Sequence, residues 1–241
     1  MGVGVGGNGV DASNGNDPDA SALPEVDAPT VVPPDAATAT CANGRVVFLS
    51  FEGEALTKAA VSDAKTNQAS WMQIASGAAP AYHAASATRA TEIQDVVDGV
   101  RGRLASFPIE VVTTRPASGD YVMVVFGGER AAVGSRFGAA VQELDCGDLT
   151  RNDVAWVADS VAPNRAIVNT VIGAIGFGLG LTATTTPTDC MCAWDNDCTP
   201  DNTVKCTLTP GITRDPLARQ LCSGAAATQD EVATFSQGFC Q

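Results

Sequence analysis

Apolar residues run unbroken through some stretches of the chain and recur at intervals in others, and the two textures predict different elements. Arg45-Val46-Val47-Phe48-Leu49-Ser50-Phe51 is a dense β run stopped by Glu52-Gly53. From Leu56 to about Ile74 helix formers prevail, with Trp71, Met72 and Ile74 as the apolar face of an expected helix. Gly77 to Ser86 reads as a loop. Ile93, Val96, Val97, Val100 and Leu104 recur at helical spacing and predict a helix from about Thr88 to Leu104. Phe107–Thr114 and Tyr121–Phe126 read as two strands around the turn Arg115-Pro116-Ala117-Ser118-Gly119-Asp120. Val154–Ala158 is a further short strand. Strands alternating with helices imply an α/β layer architecture.

The two ends differ from this middle. Residues 1–40 hold no Lys or Arg and are rich in Gly, Pro, Ala and Asp. Little there can be buried against the entropy of ordering, so a disordered linker is expected, with order beginning near Cys41. Beyond Cys190 the composition shifts to Cys, Asp, Thr and Pro, and disulfides are expected to stand in for a core. Thr228-Gln229-Asp230-Glu231 has the form of a capping box opening a last helix through Phe235. The expected organisation is a linker over 1–40, an α/β subdomain over 41–182 and a Cys-rich subdomain over 183–241.

Eight cysteines (Cys41, Cys146, Cys190, Cys192, Cys198, Cys206, Cys222 and Cys240) are even in number and carry no zinc-finger or zinc-ribbon spacing. Disulfides in an oxidising, extracytoplasmic setting explain them, although eight cysteines allow 105 connectivities. A net charge of −13 disfavours nucleic acid and anionic membrane surfaces as partners. Met1 is followed by neither a basic n-region nor a long apolar h-region, and Gly6 stands where a myristoylation site wants Ser or Thr. The start is therefore read as a mature-form boundary, with the protein secreted or held at a surface through its linker.

Ala166 to Thr188 carries no charge, and three readings compete for it. A transmembrane helix with Gly176-x-x-x-Gly180 as its packing face is allowed by length, but Asn169 and the threonine run dilute its apolar character. A buried central helix at about 164–180 fits the burial pattern and leaves Gly173, Gly176, Gly178 and Gly180 unexplained, since each costs about 1 kcal/mol against Ala. The third reading accounts for the glycines. Laid over Gly173 to Ala183, the pattern H-E-x-x-H-x-x-G-x-x-H places its glycine on Gly180, and Met191 follows where a Met-turn would be. The segment thus resembles the active-site helix of the metzincin zinc peptidases. Together with the β run at 45–51, the helix pair and Val111 to Tyr121, the likeness extends over about 41–240 and is to secreted myxobacterial metalloproteases. The fold it implies is a metzincin-like mixed twisted sheet with a central helix and a disulfide-rich C-terminal subdomain.

What the resemblance implies for chemistry is a loss. The ligand positions are Gly173, Phe177 and Ala183, and the general-base position is Ala174. None of these can bind a cation or move a proton, whereas a catalytic zinc needs three protein ligands and a base. The chain holds one histidine, so three cannot be assembled by any alignment. The expectation is a catalytically inactive relative of a secreted zinc metalloprotease, without cofactor, binding a polypeptide or surface component through the remaining cleft. An active metallopeptidase with an unrecognised site and a structural or adhesive surface domain are the alternatives.

Other chemistry is thinner. His83, in Pro80-Ala81-Tyr82-His83, reads as an exposed loop residue with no nucleophile spaced around it. Cys190-x-Cys192-x5-Cys198 reads as disulfide partners rather than a thiolate metal site. Asp195, Asp197 and Asp201 alternate as calcium ligands do, but Pro200 stands where an EF-hand wants glycine and no glutamate closes the ring. Ser118 and Ser160 lack the G-x-S-x-G context of a serine hydrolase.

Overall fold

A computed structural model describes residues 44–162, 165–192, 194 and 197–240. The expected 1–40 linker and Cys41 lie outside the described residues. In chain order the elements are β1 (Val46–Ser50), β2 (Glu54–Lys58), β3 (Gln68–Ala69), β4 (Ser76–Ala79), α1 (Arg89–Leu104), β5 (Val111–Val112), β6 (Tyr121–Phe126) and α2 (Arg130–Val133). There follow β7 (Ala140–Val141), β8 (Val154–Val157), α3 (Arg165–Gly178), β9 (Ile212–Thr213), β10 (Thr228–Gln229) and α4 (Glu231–Gly238).

The principal sheet has the order β5-β1-β6-β8-β7, with the first four strands parallel and β7 antiparallel at the edge. All six residues of β6 are buried, as expected of a parallel strand covered on both faces. Alternation divides the strands between two cores. Val47, Leu49, Val122, Val124, Phe126, Ala155 and Val157 face α1 and α3. Phe48, Tyr121, Met123, Val125, Val154 and Trp156 face Leu56, Trp71 and Met72 on the opposite side. The protein is therefore a mixed α/β fold in which helices cover one face of the sheet and the small sheet β3-β2-β4 covers the other.

That small sheet replaces the helix expected over 56–74 and part of the loop expected over 77–86. Trp71 and Met72 are neighbours in sequence and both buried, while Ile74 is 41% exposed, a pattern no single helical face gives. Trp71 Nε1 donates to Val154 O at 2.7 Å, anchoring the layer to β8. Contacts with the principal sheet override the helix propensity of the segment. The expected pairing across Arg115–Asp120 also fails. Val111–Val112 and Tyr121–Phe126 lie on opposite sides of β1, and both run parallel to it.

The helices over 89–104 and 165–178 form where the apolar pattern places them. They approach closely, since a side chain on Gly99 would meet Val168 Cγ2 at 2.5 Å. Among the described residues, no helix is long and apolar enough to cross a membrane. The helix α4 begins later than the capping box suggested. Thr228-Gln229 pairs as a strand with β9, and Asp230 is the cap, accepting from Ala233 N at 2.8 Å.

Three disulfides are described: Cys146–Cys222, Cys190–Cys206 and Cys192–Cys198. Cys240 is also disulfide-bonded. The bridge from Cys146 to Cys222 leaves the Cys-rich region and fastens it to the loop before β8. Arg45, fully buried at the start of β1, performs a similar office at the other end of the sequence. Its guanidinium donates to Gly238 O at 2.9 Å and Thr150 O at 3.1 Å and ion-pairs with Asp148, and its own N–H donates to Phe239 O.

Candidate functional site

A cleft of about 870 Å³ opens between the β7 edge, α3 and the segment after Asp189. Ala158 N donates to Ala139 O at 2.8 Å, so Ala139 and Val141 use their backbone groups on β8. Antiparallel alternation then turns the backbone groups of Ala140 toward the open edge. The cleft is lined by Gly138 to Leu144 along this edge, by Asn169, Thr170 and Phe177 of α3, and by Asp189, Cys190 and Trp194.

The glycines of α3 are explained by what presses on the helix. A side chain on Gly173 would collide with the Trp194 indole and with Cys190 O at 2.6 Å. One on Gly176 would meet Met191 Sδ at 2.7 Å, and one on Gly178 would meet Gln142 and Asp153. Gly180 does something different. Its φ of 84° is left-handed, Leu181 N donates to Gly176 O and Gly180 N to Phe177 O. These are the bonds of a Schellman cap, which ends the helix and turns the chain out of its axis.

The positions 173 and 177 face one object, the Trp194 ring. It covers Gly173, and its centroid lies 5.5 Å from that of Phe177, tilted by 34°. Ala174 and Ala183 are fully buried, and Ala183 O accepts from Asp215 N. Met191 is fully buried beneath Gly176. Its turn is held by Asp189, whose Oδ1 accepts from Met191 N at 2.9 Å and Thr184 Oγ1 at 3.0 Å. Zinc does not fit this arrangement: positions 173, 177 and 183 bring no donor atom, and the indole fills the space beside 173.

Trp194 is the residue that sequence reasoning missed. In a chain with 5% aromatic residues, a tryptophan amid Cys and Asp was the available signal.

One buried carboxylate, Asp189, lines the cleft, and a second, Glu231, is its buried neighbour. Glu231 accepts from Thr209 N at 2.9 Å and Gln229 Nε2 at 2.8 Å. Burial, reinforced by the neighbouring Asp189, raises its pKa, and burial raises that of Asp189 too. Gln229 also bridges Thr182, through its N–H and carbonyl.

His83 differs from the expected exposed loop residue. Its side chain is 18% exposed, with Nδ1 2.7 Å from Glu92 Oε2 and Nε2 3.0 Å from Asp159 O. Both partners are acceptors, so they favour the ring with a proton on each nitrogen. Burial opposes that charge, but the bonds to Asp159 and Glu92 outweigh it and raise the pKa. In that doubly protonated form no lone pair remains for general-base work.

Against known protein families and curated proteins, the chain matches none. Ser118 is exposed before β6, and Ser160 stands at the cleft mouth. Asp195 lies outside the described residues. Asp197 is exposed, and Asp201 turns its carboxylate onto Thr203, accepting from N at 2.9 Å and Oγ1 at 2.6 Å.

Proposed function

We propose that this domain is a non-catalytic, polypeptide-binding relative of the metzincin peptidases, working in an oxidising, extracytoplasmic setting. The observation that carries the reading is the edge of β7, unpaired among the described residues, along an open cleft. An extended peptide laid there adds a strand to the sheet, with main-chain bonds supplying affinity and side-chain pockets supplying selectivity. Phe137, exposed at the mouth with Arg136 stacked 4.6 Å over its ring, gives such a peptide an aromatic contact. The family reading draws support from three features together. The edge strand is antiparallel, α3 ends in a sharp turn at Gly180, and Met191 is seated beneath that helix. Trp194 over Gly173 supports the loss of catalysis, because it occupies volume that a ligand and metal would need.

A displayed peptide library panned on the full chain tests the proposal, with affinities measured by fluorescence anisotropy. Ala140→Pro removes an outward N–H at an edge position, where proline is tolerated by the sheet. The expected result is binding weakened at least about tenfold, the cost of one lost main-chain bond and the ring's bulk. Absence of any binding peptide, or binding indifferent to Ala140→Pro, would overturn the reading. Chelator-sensitive cleavage of a protein substrate would overturn its non-catalytic half.

A further inference from the structure

The loop from β7 to β8 brings three aspartates together. Asp145, Asp148 and Asp153 each offer an oxygen, and these oxygens lie within 4.8 Å of one another. Two oxygens bound at about 2.4 Å to one calcium ion lie at most about 4.8 Å apart, a limit these three oxygens meet.

Acidic clusters are common, and a separate observation singles this one out. Gln142 is only 5% exposed, and neither its Oε1 nor its Nε2 has a hydrogen-bond partner among the described residues. Its amide is aimed at the cluster: Gln142 Nε2 and Asp153 Oδ2 lie 2.9 and 3.0 Å from the point where a side chain on Gly178 would begin. Asp153 is 2% exposed, and its Oδ2 is likewise without a partner there. A carboxamide turned end for end keeps its shape, so the same pose offers Oε1 to the site. A buried carboxylate and a buried amide, side by side and unsatisfied, lack a third participant.

Charge identifies its class. Three carboxylates share one contacting guanidinium, that of Arg45 on Asp148, so the cluster as a whole is acidic. The C-terminal end of α3 adds to the negative potential, since Asp145 N already caps Phe177 O and Gly178 borders the site. Oxygen donors alone suit a hard cation.

We propose that Asp145, Asp148, Asp153 and the Gln142 carboxamide oxygen bind one calcium ion, which ties the β7–β8 loop to the end of α3.

Equilibrium dialysis and calorimetry on the chelator-stripped full chain test this, with calcium chloride as the probe. One ion per chain is expected, with Kd on the order of 10⁻⁴–10⁻³ M, as in other extracellular calcium modules. Asp153→Asn should abolish binding and the calcium-dependent rise in Tm, while Asp201→Asn should leave both unchanged. Failure of the wild-type chain to bind calcium would overturn the proposal, as would binding lost with Asp201→Asn and kept with Asp153→Asn. If Asp153→Asn does not fold, Gln142→Leu decides: calcium affinity and the calcium-dependent rise in Tm both unchanged in that variant overturn the site.

Discussion

The sheet region up to α3 and the Cys-rich region after it reach burial by different means. In the first, apolar side chains alternate between two cores, and the strands that carry them lie next to one another along β1, β6 and β8. In the second, Thr182, Thr184, Asp189, Gln229 and Glu231 are all buried, joined by hydrogen bonds and framed by disulfides. Apolar burial is forgiving, because any well-shaped hydrocarbon satisfies it. Polar burial is conditional, because each group depends on one partner and one protonation state. The sheet should therefore respond to lost volume, and the Cys-rich region to redox state and pH.

The largest expected effect is in the sheet. Trp156 is fully buried, with Nε1 donating to Gly127 O at 2.9 Å. Trp156→Ala should cost about 3–5 kcal/mol and lower protection throughout the molecule, as read by chemical denaturation and amide exchange. An exchange pattern loosened only around Trp156 would break the comparison.

Next is the Cys190–Cys206 bridge, with a sequence separation of 16. Replacing both cysteines by serine should cost about 3 kcal/mol. Exchange should accelerate after Asp189 well before it does in β1 and β6. Equal acceleration in both regions would show that they unfold as one unit.

The smallest effect is the most selective. Glu231 has a raised folded pKa, so the folded state binds a proton that the unfolded chain releases above about pH 4.3. That stability is complete below about pH 4.3 and is lost as pH climbs toward and through the folded value. Glu231→Gln keeps the shape and removes the titration. Relative to this variant, wild-type Tm should decline between about pH 5 and 9. His83, also raised, contributes in the same direction to both proteins and cancels in the difference. Parallel Tm curves would refute the conditional character assigned to polar burial.

This contrast also explains what could be read from the chain. β1, β6, β8, α1 and α3 were legible because continuous or periodic apolar runs are local signals. The segment from 54 to 79 was not, because its strands are chosen by the sheet it covers, with Trp71 on Val154 O as the anchor. In the candidate site, the glycines of α3 were too costly for helix propensity to explain, and the family pattern put its own glycine on Gly180. What presses on them was hidden: Trp194 comes from a neighbouring segment, and Asp153 and Gln142 converge on Gly178 from the two ends of a loop. Cysteine number announced disulfides, but the pairing of Cys146 with Cys222 spans 76 residues and leaves no local trace.

Arg45 carries a consequence for how the chain assembles. Its guanidinium is fully buried and finds Gly238 O at a sequence separation of 193, with Thr150 O and Asp148 as further partners. Until α4 arrives, sealing the start of β1 would leave the Arg45 Nε–H buried without its Gly238 acceptor, an unsatisfied donor costing about 1–3 kcal/mol or more. The first strand can dock early through Val47 and Leu49, but its leading end must stay wet until the last helix is in place. Closure of so long a loop is slow and entropically unfavourable. Refolding should thus show compaction of the sheet ahead of protection at Arg45, with completion gated by the far end of the sequence.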